Sequence, residues 1–311
     1  MTTRRTFLVG SALGCLAAGC GGPELQSRLV IAGGENGGLY IAFADLMAER
    51  LTRRFPSLSV DVLTTDGSVD NLALIRDGKA DLGLALSDVA QIDRHKLPQA
   101  APSAVSRVYE NYLQLVVADR SPVESIAGLR GLRVSLGAPS SGAAVTCDVM
   151  LRAAGLRPGV DLRVTHAGLE DGLVQLRDGS IDALAWSGGV PTPALSDLDD
   201  TFPLRMLGLD QLAGPMRSRS GYPYTSRRVP EVGYSPPEGA HTIGVPNLLL
   251  CRRDAAAELI DAVTELMVTD AGHLVPAYVR GLQYLAPPAM IQTGAIPLHP
   301  AAVRAYRRLH G

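Results

Sequence analysis

Two stretches of this chain carry the same order of apolar and polar positions. Asn71-Leu72-Ala73-Leu74-Ile75-Arg76-Asp77-Gly78 leads into Lys79-Ala80-Asp81-Leu82-Gly83-Leu84-Ala85. Asp171-Gly172-Leu173-Val174-Gln175-Leu176-Arg177-Asp178-Gly179 leads likewise into Ser180-Ile181-Asp182-Ala183-Leu184-Ala185. In each, apolar residues at helical spacing run into an Asp-Gly turn and then into a short apolar run, which predicts helix, turn and buried strand. The recurrence of Asp77 and Asp81 as Asp178 and Asp182 beside the same turns predicts turn and packing roles, not paired catalytic carboxylates. Upstream of each copy a glycine-bearing turn opens a helix, Gly33-Gly34-Glu35-Asn36-Gly37-Gly38-Leu39-Tyr40 in the first and Gly137-Ala138-Pro139-Ser140-Ser141-Gly142-Ala143 in the second. Two such α/β units predict two lobes facing a shared cleft.

The rest of the pattern fits around these units. Leu29 to Ala32 predicts a buried parallel strand, and Leu39 to Phe55 a helix closed by Pro56. Tyr109 to Asp119 predicts a longer strand that carries the chain into the second lobe, where strand, glycine loop, helix, strand, helix and strand recur up to Trp186. Gly214 to Gly239, rich in Pro, Gly, Ser and Tyr, predicts a long irregular connection. Thr242 to Cys251 predicts a strand returning to the first lobe, and helices from about Ala255 to Met267 and from Pro300 to Leu309 finish the chain. The expected organisation is an export signal over 1–19, a tether over 20–27, lobe one over 28–118, lobe two over 119–240, and a return to lobe one over 241–311. The arrangement expected is an α/β fold that resembles the periplasmic-binding-protein type II kind, two lobes with a hinge and a ligand cleft between them.

Composition narrows the class. A chain of 311 residues is long enough for two cores, and 46% apolar with 19% charged residues is ordinary for a globular protein. The formal charge of -2 gives no electrostatic reason to expect nucleic acid. Thr3-Arg4-Arg5-Thr6-Phe7-Leu8 is a twin-arginine pattern, and the apolar run from Phe7 to Ala18 is too short for a stable membrane span. It reads as an export signal. Leu16-Ala17-Ala18-Gly19-Cys20 resembles a lipoprotein cleavage box with Ala17 where leucine is usual, so Cys20 is the expected acylation site. The alternative is a signal peptide cut nearby without lipidation. A lipid on Cys20 would hold the folded protein at the outer face of the cytoplasmic membrane. Cys147 and Cys251 are expected to be buried free thiols.

Seven motifs in order resemble the TAXI class of solute-binding proteins, the extracytoplasmic receptors of TRAP transporters. They are Gly37-Gly38-Leu39-Tyr40, Gly67-Ser68-Val69-Asp70-Asn71-Leu72, Asp81-Leu82-Gly83 with Ser87-Asp88-Val89, Leu129 through Gly142, Asp178-Gly179-Ser180-Ile181-Asp182-Ala183, Gly189-Val190-Pro191-Thr192-Pro193, and Ile296-Pro297-Leu298-His299-Pro300. The resemblance implies a receptor, not an enzyme, that closes on a small organic solute, a carboxylate or an amino acid, and delivers it to TRAP-type membrane subunits. The first loop departs from the family's Gly-Thr-Gly-Gly-Val-Tyr-Tyr by placing Glu35-Asn36 before Gly37 and Ile41 after Tyr40. The second replaces the threonine of Gly-Ser-Gly-Thr by Ala143. Both changes open the site to a ligand other than glutamate.

The candidate ligand-binding residues are Gly37, Gly38, Tyr40, Ser68, Asn71, Ser87, Asp88, Ser140, Ser141, Gly142 and Trp186. Unpaired N–H groups at a helix N-terminus bind an anion without a formal charge on the protein, and glycine lets the ligand approach the backbone. The bland alternatives are tight strand-to-helix turns for the glycines, packing for Tyr40 and Trp186, and helix caps for Ser68, Asn71, Ser87 and Asp88. His299 is expected to be structural. The histidines show no metal-ligand spacing, and neither a Gly-x-Ser-x-Gly elbow nor a phosphate loop occurs. No catalytic residue, metal or cofactor is expected. A second function of another class is a ligand-sensing lipoprotein that signals to a membrane partner.

Overall fold

A computed structural model describes residues 28–231, 234 and 241–310. The expected export signal, the tether and Cys20 lie outside the described residues. The chain begins with β1 (Arg28–Ala32), in which Leu29 and Ile31 are fully buried. It continues with α1 (Leu39–Arg54), β2 (Ser59–Leu63), α2 (Ser68–Arg76), β3 (Leu82–Leu86) and α3 (Ser87–Lys96). The buried stripe of α1, Leu39, Tyr40, Phe43, Ala44, Met47 and Leu51, repeats at three and four residues and faces the sheet. Burying each of Phe43, Met47 and Leu51 contributes roughly 1.5–3 kcal/mol. Pro56 cannot extend this helix, and the chain leaves it at Phe55.

β4 (Ser103–Ala118) is the longest strand and begins six residues earlier than its apolar run predicts. After it come β5 (Arg133–Ser135), α4 (Gly142–Ala153), β6 (Arg163–Thr165), α5 (Leu169–Asp178), β7 (Ala183–Gly188), α6 (Pro193–Asp199) and β8 (Leu204–Met206). The segment expected to be irregular instead holds α7 (Ala213–Ser220) and β9 (Thr225–Arg228). The sequence Thr225-Ser226-Arg227-Arg228 has no strand-like apolar alternation; it becomes a strand because His241–Gly244 offers it an edge to pair with. β10 (His241–Cys251), α8 (Ala257–Thr269), the single turn α9 (Pro287–Met290) and α10 (Pro300–His310) complete the order.

The sheet runs β2-β1-β3-β10-β4-β7-β5-β6, with β8 on β4 and β9 on β10. Its two ends are built alike. In the first, β1 lies parallel between β2 and β3, and β10 is antiparallel to β3. In the second, β5 lies parallel between β6 and β7, and β4 is antiparallel to β7. β4 and β10 then pair with each other and tie the units into one sheet.

The repeated aspartates explain part of the repeat. Asp81 accepts the N–H of Val30 in β1 through Oδ2 at 2.8 Å, and Asp182 accepts the N–H of Arg133 in β5 at 2.8 Å. Each therefore pins the start of its unit's first strand to the start of its third. Cys147 and Cys251 are buried free thiols. His299 caps the start of α10, its Nδ1 accepting the N–H of Ala301.

Candidate functional site

The carboxyl ends of the parallel strands in both units point at one cavity, the position where open α/β sheets place ligands. Its walls come from the loop after β1 (Gly34, Glu35, Gly38), the start of α2 (Asp66, Gly67, Ser68), the start of α4 (Ser141, Gly142, Ala143) and the end of β7 (Trp186, Ser187, Gly188). Leu39, Tyr40, Leu86 and Asn111 complete them. The volume is about 40 Å³. At roughly 10–15 Å³ per water, that is room for a few waters, so an organic solute enters only if the units part.

The units meet across the cavity by capping each other's helices. The Ser140 carbonyl, from the loop before α4, accepts the N–H of Val69 at 3.1 Å and of Asp70 at 3.4 Å, at the start of α2. Reciprocally, Glu35, from the loop before α1, accepts the N–H of Leu169 at 2.7 Å through Oε2, at the start of α5. First-turn amides have no partner within their own helix, so each loop satisfies donors of the opposite unit. Gly142 permits the approach, since a Cβ there would sit 2.5 Å from Ser68 Oγ. A third crossing runs through Asp88, which is fully buried. Its carboxylate accepts from Thr146 Oγ1 and Tyr224 OH, both at 2.7 Å.

Six of the eleven expected residues line the cavity: Gly38, Tyr40, Ser68, Ser141, Gly142 and Trp186. The other five do not, for identifiable reasons. Gly37 is in the turn, exposed, with φ 74°. Asn71 is buried behind it, donating to the carbonyls of Gly33 and Leu84. Ser87 bonds Tyr222 OH and faces a different recess, while Asp88 is spent on the crossing just described. Ser140 contributes its carbonyl to α2. Tyr40 is 8% exposed and its hydroxyl is committed to Asn247 Oδ1 and Ser68 Oγ. It presents its ring to the cavity, not a free phenol. Ser68 is not a cap: Gly67 takes the N-cap position, and Ser68 Oγ accepts the N–H of Leu86 at 3.0 Å.

A polar chain lies beneath the cavity and crosses both long strands. Tyr40 OH donates to Asn247 in β10, Asn247 Nδ2 donates to Asn111 Oδ1 in β4 at 2.8 Å, and Asn111 Nδ2 donates to the Ser187 carbonyl in β7 at 3.1 Å. Asn111 and Ser187 have no local motif to flag them; only strand pairing brings them here.

Several donors stay open. The first-turn amides of Leu39 and Tyr40 in α1 and of Gly142 and Ala143 in α4 have no partner among the described residues, while Ser141 Oγ takes that of Ala144 at 3.1 Å. Trp186, 6% exposed, has an Nε1–H with no partner among the described residues. A Cβ on Gly188 would collide with that nitrogen, so glycine keeps the indole edge clear. Burial, with a smaller contribution from the charge of Asp66, pushes Glu35 up to about 7 against the amide of Leu169. Burial also raises Asp88, opposed by its hydroxyl donors. Among the described residues no group of three or more His, Cys, Asp or Glu could hold a metal ion, and no helix is long and apolar enough to cross a membrane.

Two α/β units with antiparallel exchange strands and a cavity at the facing strand ends define the type II periplasmic-binding-protein fold. The chain belongs to the NMT1-like family, whose model matches residues 31–308. Solved structures of the same fold include the protein Tv2483 bound to L-arginine, at 12% identity and TM-score 0.54, covering 83% of this chain and 93% of that one. The substrate-binding protein of an amino acid ABC transporter matches at 12% identity and TM-score 0.50, covering 79% and 95%. The alkanesulfonate-binding protein SsuA from Xanthomonas axonopodis pv. citri, bound to MOPS, matches at 16% identity and TM-score 0.50, covering 91% and 84%. At these identities the likeness establishes the fold.

Proposed function

We propose that this protein is an extracytoplasmic solute-binding receptor, not an enzyme, which captures a small organic solute between lobes at 28–118 with 241–311 and at 119–240 and presents it to a membrane transporter. The observation that carries the reading is the cavity held between unpaired first-turn amides of α1 and α4, one helix from each unit. Such amides, with the helix dipole behind them, take a carboxylate or another oxygen acceptor. Ser141, Gly142, Gly38, Tyr40, Ser68 and Trp186 form the contact surface in this reading. A ligand that touches both units stabilises the closed arrangement by its differential affinity for it.

The ordered motifs support a TRAP-type permease as the partner, while family membership and a neighbour that serves an amino acid ABC transporter support an ABC-type one. Solute uptake by cells carrying the receptor and its permease separates them: dependence on ATP hydrolysis marks the ABC type, dependence on an ion gradient the TRAP type. The twin-arginine segment and Cys20 support export and lipid anchoring, which globomycin-sensitive processing of the precursor would test.

The receptor reading itself is tested by melting the purified protein against panels of small acids, amino acids, amines and neutral solutes. A ligand at 100 times its Kd adds about 2.7 kcal/mol, which for a chain of this size raises the midpoint by several degrees. A panel without any such rise speaks against the receptor.

A further inference from the structure

We propose that the solute carries a cationic nitrogen, an ammonium or a guanidinium, which seats between Glu35 and Asp66, and an acceptor oxygen that meets the indole N–H of Trp186. The inference rests on the receptor reading and specifies its substrate class.

The charges at the site all have one sign. Glu35 and Asp66 are the charged residues in the cavity wall. An adjoining opening of about 340 Å³ shares both and adds Asp70, Glu170 and Asp171, and neither wall contains Lys or Arg. None of these five carboxylates forms an ion pair among the described residues. Glu35 Oε2 holds the Leu169 amide, and among the described residues Glu35 Oε1 and the carboxylate of Asp66 have no hydrogen-bond partner. Two unpaired carboxylates in a half-buried wall repel a dianionic solute and attract a cation, because the low local dielectric strengthens both effects.

The second observation is independent of charge. A buried indole N–H without a partner is costly to leave unmade; that of Trp186, a residue of the cavity wall, has none among the described residues and lies beside Gly188, another wall residue. It calls for an oxygen on the solute. The open amides of α1 and α4 serve the same oxygen-bearing end. Cation and acceptor therefore sit at different walls of one small cavity, which selects a compact solute carrying both.

Trp186 is the only tryptophan in the chain, so its emission reports this site alone. The test titrates the purified full-length protein with L-lysine, L-arginine and L-glutamine, and in parallel with 2-oxoglutarate, succinate and glutarate, following emission and melting midpoint. The expected result is a Trp186 emission shift and a higher midpoint with members of the first set and neither with the second. Glu35→Gln and Asp66→Asn should each weaken the bound solute at least tenfold. Glu35→Gln keeps an oxygen for the Leu169 amide, and urea unfolding of both variants confirms that the fold is intact. Binding of the dicarboxylates alone, or unchanged affinity for the cationic solutes in both variants, overturns the proposal and leaves the receptor reading standing. Silence from both sets, in emission and in melting, overturns the two together.

Discussion

On one side of the cleft a main-chain carbonyl, that of Ser140, caps α2 of the opposite unit; on the other, a side-chain carboxylate, Glu35, caps α5. The two crossings occupy equivalent places in the repeat, each reaching from the loop before a unit's first helix to the start of the other unit's second. Their chemistry differs in one respect that matters. A carbonyl has no proton to gain or lose near neutrality, whereas Glu35 is raised to about 7 by burial and by the neighbouring charge of Asp66. The repeat thus preserves the geometry of closure and makes one half of it responsive to charge. Away from the cavity the units agree more closely: Asp81 and Asp182 hold the amides of Val30 and Arg133 at the same 2.8 Å. Backbone pairing imposes the same requirement on both scaffolds, while the proposed solute, with two unlike ends, would impose different requirements on the two loops.

The largest effect is expected from breaking the crossing that has no counterpart in the repeat. Asp88→Ala leaves Thr146 Oγ1, Tyr224 OH and the Val89 amide without their acceptor in a fully buried site. Urea unfolding should show a loss of about 2–4 kcal/mol. A loss below about 0.5 kcal/mol, the range of an ordinary surface change, would mean that Asp88 is not a latch.

Next come the paired strand clamps. Asp81→Ala and Asp182→Ala should each cost about 1–2 kcal/mol, the value of one hydrogen bond plus the exposed amide. Asp182 also accepts from Arg133 Nε and Nη2, and these bonds hold its carboxyl below the usual range. Its contribution is present above the unfolded carboxylate value and is lost as pH falls through the lowered one. The difference in unfolding free energy between wild type and Asp182→Ala should therefore shrink on acidification. A difference that stays constant down to pH 2 would assign the clamp to packing.

The smallest effect separates the two cross-caps. Glu35 is raised in the folded state, so the stability tied to its proton is complete below the unfolded value of about 4.5 and is lost as pH rises through about 7. The carboxylates facing it are Asp66 and Asp70 from the start of α2, and Glu170 and Asp171 from α5. The ligand-free melting midpoint should fall more steeply between pH 5 and 8 in the wild type than in Glu35→Gln. Parallel slopes would show that Glu35 ionises freely and that the two crossings do not differ in this way.

Most of the scaffold is written in local pattern. The Asp-Gly turns, the apolar strands behind them and the two glycine loops are each short-range signals, and all appear where the pattern places them. Gly38, Ser141, Gly142 and Trp186 follow from the same signals, because a residue at a strand end or a helix start is carried to the cleft by the element it belongs to. Asn71 and Asp88 occupy motifs that look just as suitable, yet their polar atoms are consumed inside the protein, one by the carbonyls of Gly33 and Leu84, the other by Thr146 and Tyr224. Those partners are far away in sequence in all but one case, and no local pattern announces them.

The sequence by itself determined a duplicated α/β architecture, an exchange of long strands between the halves and a cleft rimmed by helix N-termini, because these depend on periodicity, turn chemistry and the order of elements. Only the tertiary structure decided which polar groups are left over for a solute. That outcome depends on pairings between distant residues, such as Asn111 with Asn247 and Glu35 with Leu169, and on the Trp186 nitrogen finding no partner among the described residues, all set when β4, β10 and the two loops come together.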